Sequence, residues 1–244
     1  MIKLCYYMED IVINHRLIVD AQIFERFPEY QALIVYAEGI RNFPSTAESE
    51  ALLRAAEQAC RATLTSDTLL QHPHINAWRE AYRLFGANPK KYPSSIEALL
   101  RRTLKGQDLP SINGLVDLYN AVSLKYLLPA GGEDLDTLVS DLHLTYAQGN
   151  EPFVTMQDGQ EQAIYPEAGE VIWADTAGVT CRRWNWRQGR RTQLTEGTQA
   201  AYFVLDRLAP YPSETLLAAG EELKAHLLRW FPACTITIEV LQKV

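Results

Sequence analysis

The chain has 244 residues, 47% hydrophobic and 22% charged, which is enough apolar content for a buried core and excludes a disordered chain. A net charge of −7 is the wrong sign for a protein that simply coats nucleic acid, and no apolar run reaches the roughly 18 residues of a membrane span. Four scattered cysteines (Cys5, Cys60, Cys181, Cys234) form no C-x-x-C pair, and the stretch Met1–Met8 is too short for a secretory signal; reduced thiols in a cytoplasmic protein are expected.

The β-branched run Val12–Val19 predicts a strand, Ala21–Phe27 a short helix stopped by Pro28, and Ala32–Ala37 a second strand closed by Gly39. Ser45 or Thr46 caps a helix through about Leu64, with Ala51, Leu52, Ala55, Ala59 and Ala62 at helical spacing. A helix is expected from Ile75 to Phe85, ending at Gly86. Another runs from Ile96 to Leu104, opened by Ser95 and closed by Lys105-Gly106. Ile112–Tyr126 reads as a further helix, broken by Pro129-Ala130-Gly131-Gly132.

From Leu135 the pattern changes to short strands and turns. Phe153–Met156 precedes the hairpin signal Asp158-Gly159, Glu170–Ala174 enters a turn at 175–178, and Val179–Trp186 is read as another strand. Ala200–Leu205 predicts a buried strand, Leu216–Leu228 an amphipathic helix and Thr235–Leu241 a last alternating strand. The class is α+β, a mostly helical first half packed on a mixed or antiparallel sheet. We expect one domain over 1–244, with residues 1–89 its N-terminal α/β portion.

No nucleophile elbow, P-loop, dinucleotide fingerprint or metal signature is present, and neither a cofactor nor a metal is expected. His72 and His74 flank Pro73 in a turn, where neighbours rarely converge on one ion. Gly131-Gly132 reads as a turn with a weak anion-site signal.

Two segments could carry chemistry. Asn113, Asp117 and Asn120 are spaced to share one helical face, either a solvated surface or an internal polar network. In Cys181–Gly189, strand alternation would put Arg183, Asn185 and Arg187 on one side and Trp184 and Trp186 on the other. Either the tryptophans are core and the arginines surface, or the segment offers arginine donors to phosphate and flat rings for stacking. Thr192, Thr195 and Thr198 follow with neutral hydroxyls.

The run Ile112–Asn120, then Leu128-Pro129 and Glu133-Asp134, resembles the V-D-x-x-N … P-H-A-F-D region of the phenylalanyl-tRNA synthetase β chain. Asp158-Gly159, Val171–Asp175 and Thr198-Gln199 resemble its D-G turn, V-I-A-D strand and E-T-Q segment, and the Arg-Arg-Trp-Asn-Trp-Arg core is similar to that of free-standing B3/B4 proteins. The likeness covers about residues 90–208.

It implies a B3/B4 editing-domain fold and hydrolysis of the ester of a mischarged aminoacyl-tRNA, with tRNA 3′ ends and an amino acid as partners. In the synthetase family the substrate is tyrosyl-tRNA. Binding would fall to Asn113, Asp117, Asn120, Arg183, Trp184, Asn185, Trp186, Arg187, Gln188 and Thr192, with no catalytic residue assigned. Ala130-Gly131-Gly132 stands where the synthetase motif has a histidine, and the family's pocket glutamate falls near Gln188. A non-catalytic amino-acid or tRNA-binding module is therefore the alternative.

Overall fold

The computed structural model describes residues 15–157 and 159–243. Its elements begin with β1 (Leu17–Val19), α1 (Ala21–Arg26), β2 (Gln31–Glu38), α2 (Ala47–Thr63), α3 (Pro73–Leu84), α4 (Ser95–Leu104) and α5 (Gly114–Tyr126). They continue with β3 (Ala130–Asp134), β4 (Leu142–Tyr146), β5 (Phe153–Gln157), β6 (Gln160–Ile164), β7 (Val171–Asp175) and β8 (Gly178–Arg182). Last come β9 (Arg187–Gln188), β10 (Ala200–Arg207), α6 (Ser213–Trp230) and β11 (Thr235–Gln242).

Side-chain caps set several helix starts. Thr46 and Ser49 form a reciprocal capping box at α2, and Ser94 caps α4. The helix expected from Ile112 begins two residues later. Asn113 is its cap, its Oδ1 accepting from the Val116 N–H at 3.1 Å.

Two sheets stack in the core. One has the order β11-β2-β10-β3, antiparallel throughout; the other runs β1-β4-β7-β8-β9, with β1 parallel to β4 and the rest antiparallel. Leu33, Val35 and Ala37 of β2, with Phe203 and Leu205 of β10, pack against Leu115 and Leu118 of α5 and Leu216 and Leu223 of α6. On the opposite face Ile34, Tyr36 and Tyr202 meet Trp78, Leu144, Val171 and Trp173. Covered on both sides, β2 needs continuous rather than alternating apolar residues, hence Ala32–Ala37. A third cluster joins α2, α4 and α5 through Leu53, Ile96, Leu100 and Leu124.

The architecture is α+β, as the sequence predicts, but three local expectations change. Pro129–Gly132 is not merely a helix breaker: residues 130–134 form β3, edging the four-stranded sheet. Gly132 is needed there, because a Cβ would lie 2.6 Å from Phe203 Cδ1. The expected strand Val179–Trp186 stops at Arg182, and β4 escaped the sequence reading altogether. Cys5, the start of the Val12–Val19 run and Asp158 lie outside the described residues. Among the described residues no helix is long and apolar enough to cross a membrane.

Candidate functional site

Successive strand residues face opposite ways, so the residues of β10 that do not face α5 and α6 all face the second sheet. Tyr202, Val204 and Asp206 accordingly line one side of a cavity of about 270 Å3. Gly131 and Glu133 of β3 continue that side, paired with Val204 and Tyr202 respectively. Across from them stand Cys181 and Trp184–Gln188, and the rim adds Ser95 and Leu99 of α4 with Tyr119 and Asn120 of α5.

The link from β8 to β9 is a tight turn with two consecutive left-handed residues, Arg183 (φ 47°) and Trp184 (φ 68°). Each such non-glycine conformation costs about 1–3 kcal/mol and persists only where surroundings over-determine it. Here they do. The Trp184 ring is wholly buried and meets Phe27, Tyr30 and Trp78 edge-on at 4.8, 4.9 and 5.2 Å. The Trp184 N–H donates to Val171 O at 2.7 Å, and the Arg183 N–H donates to Glu170 Oε1 at 3.2 Å. Glu170 also takes a two-pronged contact from Arg182 at 2.8 and 2.7 Å. The Arg183 guanidinium lies 3.7 Å from the Tyr92 ring centre and 4.9 Å from that of Trp186.

This turn delivers Asn185 to the cavity. Its Nδ2 donates to Asp206 Oδ2 at 2.8 Å, its Oδ1 accepts from the Tyr82 hydroxyl at 2.9 Å, and its backbone carbonyl accepts from the Ser95 N–H at 3.0 Å. Asp206 Oδ1 accepts from the Tyr30 hydroxyl at 2.6 Å. Burial pushes the Asp206 carboxyl up to about 6 against these two donors.

Glu133 is the second buried acid, its Oε2 accepting from the Tyr202 hydroxyl. Burial raises its pKa, opposed by Tyr202, Thr192, Gln188 and Thr180. Cys181 lies within reach of both acids. Burial first, then Glu133 and Asp206, push its thiol well above the ordinary range, so it stays a neutral wall. Gln188 Nε2 donates to Gly132 O at 2.6 Å. Arg187 is the one cation among the described residues that line the cavity, and it is exposed.

The two segments singled out in the sequence do meet here, but not all their residues reach the cavity. Asn120, Trp184, Asn185, Trp186, Arg187 and Gln188 line it. Asn113 is a buried helix cap, its amide donating to Leu194 O at 3.2 Å, and it shares no open face with Asn120. Asp117 is wholly buried, bound by the Ser49 hydroxyl at 2.8 Å and the Ile112 N–H at 3.1 Å. Arg183 turns into the ion-pair network of Glu170, and Thr192 is buried beside Glu133. The expected alternation of Arg183, Asn185 and Arg187 along a strand fails because the chain turns at Arg183.

Sequence reading missed Glu133, Asp206, Tyr119 and Tyr202 as lining residues. A signal existed for Asp206: it shares the two-residue period of Tyr202 and Val204, so an acid falls on a face otherwise apolar.

The B3/4 domain family matches residues 77–214, more than half of the chain. This protein belongs to the B3/4 domain family. The match runs from α3 into the start of α6, taking in every residue named above as lining the cavity. Among solved structures, the chain is similar to an N-terminal fragment of the phenylalanyl-tRNA synthetase beta-subunit from Pyrococcus horikoshii. Identity is 9% and the TM-score 0.46, with 94% of this chain covered and 55% of that one. No curated protein sequence matches the chain.

Proposed function

We propose that this B3/4 domain binds the aminoacyl end of a charged tRNA in trans and hydrolyses the ester of a mischarged one. The observation that carries the reading is the cavity's make-up: aromatic walls from Trp186, Tyr119 and Tyr202, two buried acids, and one exposed arginine at Arg187. Its volume of about 270 Å3 lies below the roughly 300–1,000 Å3 of most small-molecule sites, which suits an amino acid and not a nucleotide. An acid is the natural partner of an α-ammonium group, and Arg187 that of a phosphate just outside.

An aminoacyl ester is already activated. The protein need only hold it, orient a water and oppose the charge that develops on the carbonyl oxygen. Asp206, fixed by Tyr30 and Asn185, would receive the ammonium, with Asn120 and Ser95 at the rim near the ester. We further propose that 1–244 acts as one B3/4 unit, because β2 is flanked by β10 and β11 from much later in the chain.

Release of amino acid from a panel of mischarged tRNAs tests the reading. Turnover that Arg187→Ala slows through KM, more at low salt than at high, supports it. Binding of amino-acid amides without turnover of any ester would leave a sensor, the second reading, favoured by the absence of a histidine after Pro129. Neither binding nor turnover would end both.

A further inference from the structure

Glu133 and Asp206 sit at opposite ends of one cavity wall. Glu133 pairs across the sheet with Tyr202, and Asp206 lies four residues further along β10, a backbone spacing of about 13 Å, Cα to Cα, at the usual strand rise. Midway, Gly131 pairs with Val204, and a Cβ added at Gly131 would meet nothing within 4 Å, so the space between the two acids is open. Glu133 is 5% exposed and Asp206 2% exposed, and among the described lining residues Arg187 supplies the sole cation. Arg187 lies between Asn185, the partner of Asp206, and Gln188, which donates to Gly132 O beside Glu133, so the one lining cation sits on the exposed side of the cavity between the two acids.

We propose that the aminoacyl group this site accepts has a basic side chain of lysine or ornithine length, its α-ammonium on Asp206 and its terminal ammonium on Glu133. This rests on the aminoacyl reading above and narrows it. A lysyl group spans roughly 7–8 Å between its two nitrogens when extended. A charge-assisted hydrogen bond of roughly 2.8 Å at each end extends the reach to about 13 Å. The methylene chain between would lie past Gly131 and Val204, against the Tyr119 and Trp186 rings. Charge selects among side chains of similar length. A buried carboxylate that receives an ammonium is compensated, whereas one that receives a methyl group or a phenol keeps an unbalanced charge or must hold a proton. Burial raises the pKa of both acids despite their hydrogen-bond donors, and an ammonium beside each would offset that desolvation.

The test is calorimetric titration of the full-length protein with lysinamide, norleucinamide and tyrosinamide, which carry the same α-ammonium and no hydrolysable ester. Lysinamide is expected to bind at least 10-fold more tightly than the other two. Glu133→Gln should bring the three within about 2-fold of one another, while Asp206→Asn should weaken all three alike. Circular dichroism melting of both variants checks that they fold. Norleucinamide or tyrosinamide binding as tightly as lysinamide overturns the proposal and leaves the aminoacyl reading standing. Unequal loss with Asp206→Asn overturns the assignment of the two ends. No binding by any amide, joined to no release of amino acid from any mischarged tRNA, overturns the reading beneath it as well.

Discussion

Asn185 in the β8–β9 turn donates a 2.8 Å hydrogen bond to Asp206 on β10, and the same amide accepts from Tyr82 on α3. One side chain thus ties three separate elements at the cavity. Asn185→Ala removes both bonds and leaves buried partners unsatisfied, which costs about 1–3 kcal/mol. Urea unfolding is expected to register that loss, together with a fall of 10-fold or more in ester hydrolysis. An unchanged rate in a folded variant would remove Asn185 from the site.

Two residues of the Asn-Asp-Asn pattern are expected to separate experimentally. Asp117→Ala strands the Ser49 hydroxyl and the Ile112 N–H in the interior and should lower stability by about 1–3 kcal/mol. Amide binding measured below its melting temperature should be unaffected. Asn120→Ala, at the cavity rim, should shift stability by no more than about 0.5 kcal/mol yet weaken amide binding. The opposite outcome would exchange their roles.

Adjacent glycines on β3 should behave in contrary ways. Gly132→Ala drives a methyl group to 2.6 Å from Phe203 Cδ1, an overpacking that costs about 1–3 kcal/mol. Gly131→Ala meets nothing within 4 Å and keeps its melting temperature, but the new methyl group takes up space in the cavity and should weaken amide binding. Paired melting curves and titrations decide it.

Acid sensitivity should come from two buried groups of opposite sign. His74 is buried and neutral, its Nδ1–H donating to Leu127 O at 2.9 Å and its Nε2 accepting from Trp78 at 3.0 Å; burial holds its pKa down to about 4. Between pH 6.5 and about 4 the unfolded chain binds the proton that His74 refuses, so this contribution to stability is lost as pH falls. Asp206 is raised to about 6 from an ordinary 3.8, so the folded chain holds the extra proton and stability falls as pH rises through the same window. Removing Asp206 takes away one of the raised buried carboxyls that oppose His74, and leaves Glu133. Asp206→Asn should therefore lose stability more steeply than the parent between pH 6 and 4.5, by about 1–2 kcal/mol. A parallel pair of denaturation curves would contradict this.

Most of the fold was legible in the sequence, because helices with caps and buried strands leave local signals. Thr46 and Gly39 mark boundaries by residue type alone, whereas the start of α4 fell one residue off, Ser94 and not Ser95 being the cap. The site was legible only in part. The turn at Arg183-Trp184 carries neither glycine nor asparagine at its left-handed positions, so nothing local distinguishes it from a strand; burial of the Trp184 ring overrides local preference. The Gly131-Gly132 pair reads as a turn in isolation, although packing against Phe203 is what requires the second glycine. Glu133 was hidden for the same reason, as an acid beside an apparent loop.

The central position of β2 has a consequence for how the chain folds. Residues 31–38 leave the ribosome well before their two neighbours, residues 200–207 and 235–242. An almost wholly apolar strand must therefore wait, with both edges unpaired, while roughly 160 to 200 further residues are made. Pairing at that sequence distance is slow, and waiting edges invite aggregation. Expression at low temperature or with added chaperone should raise the soluble yield more than any stabilising change on the helices.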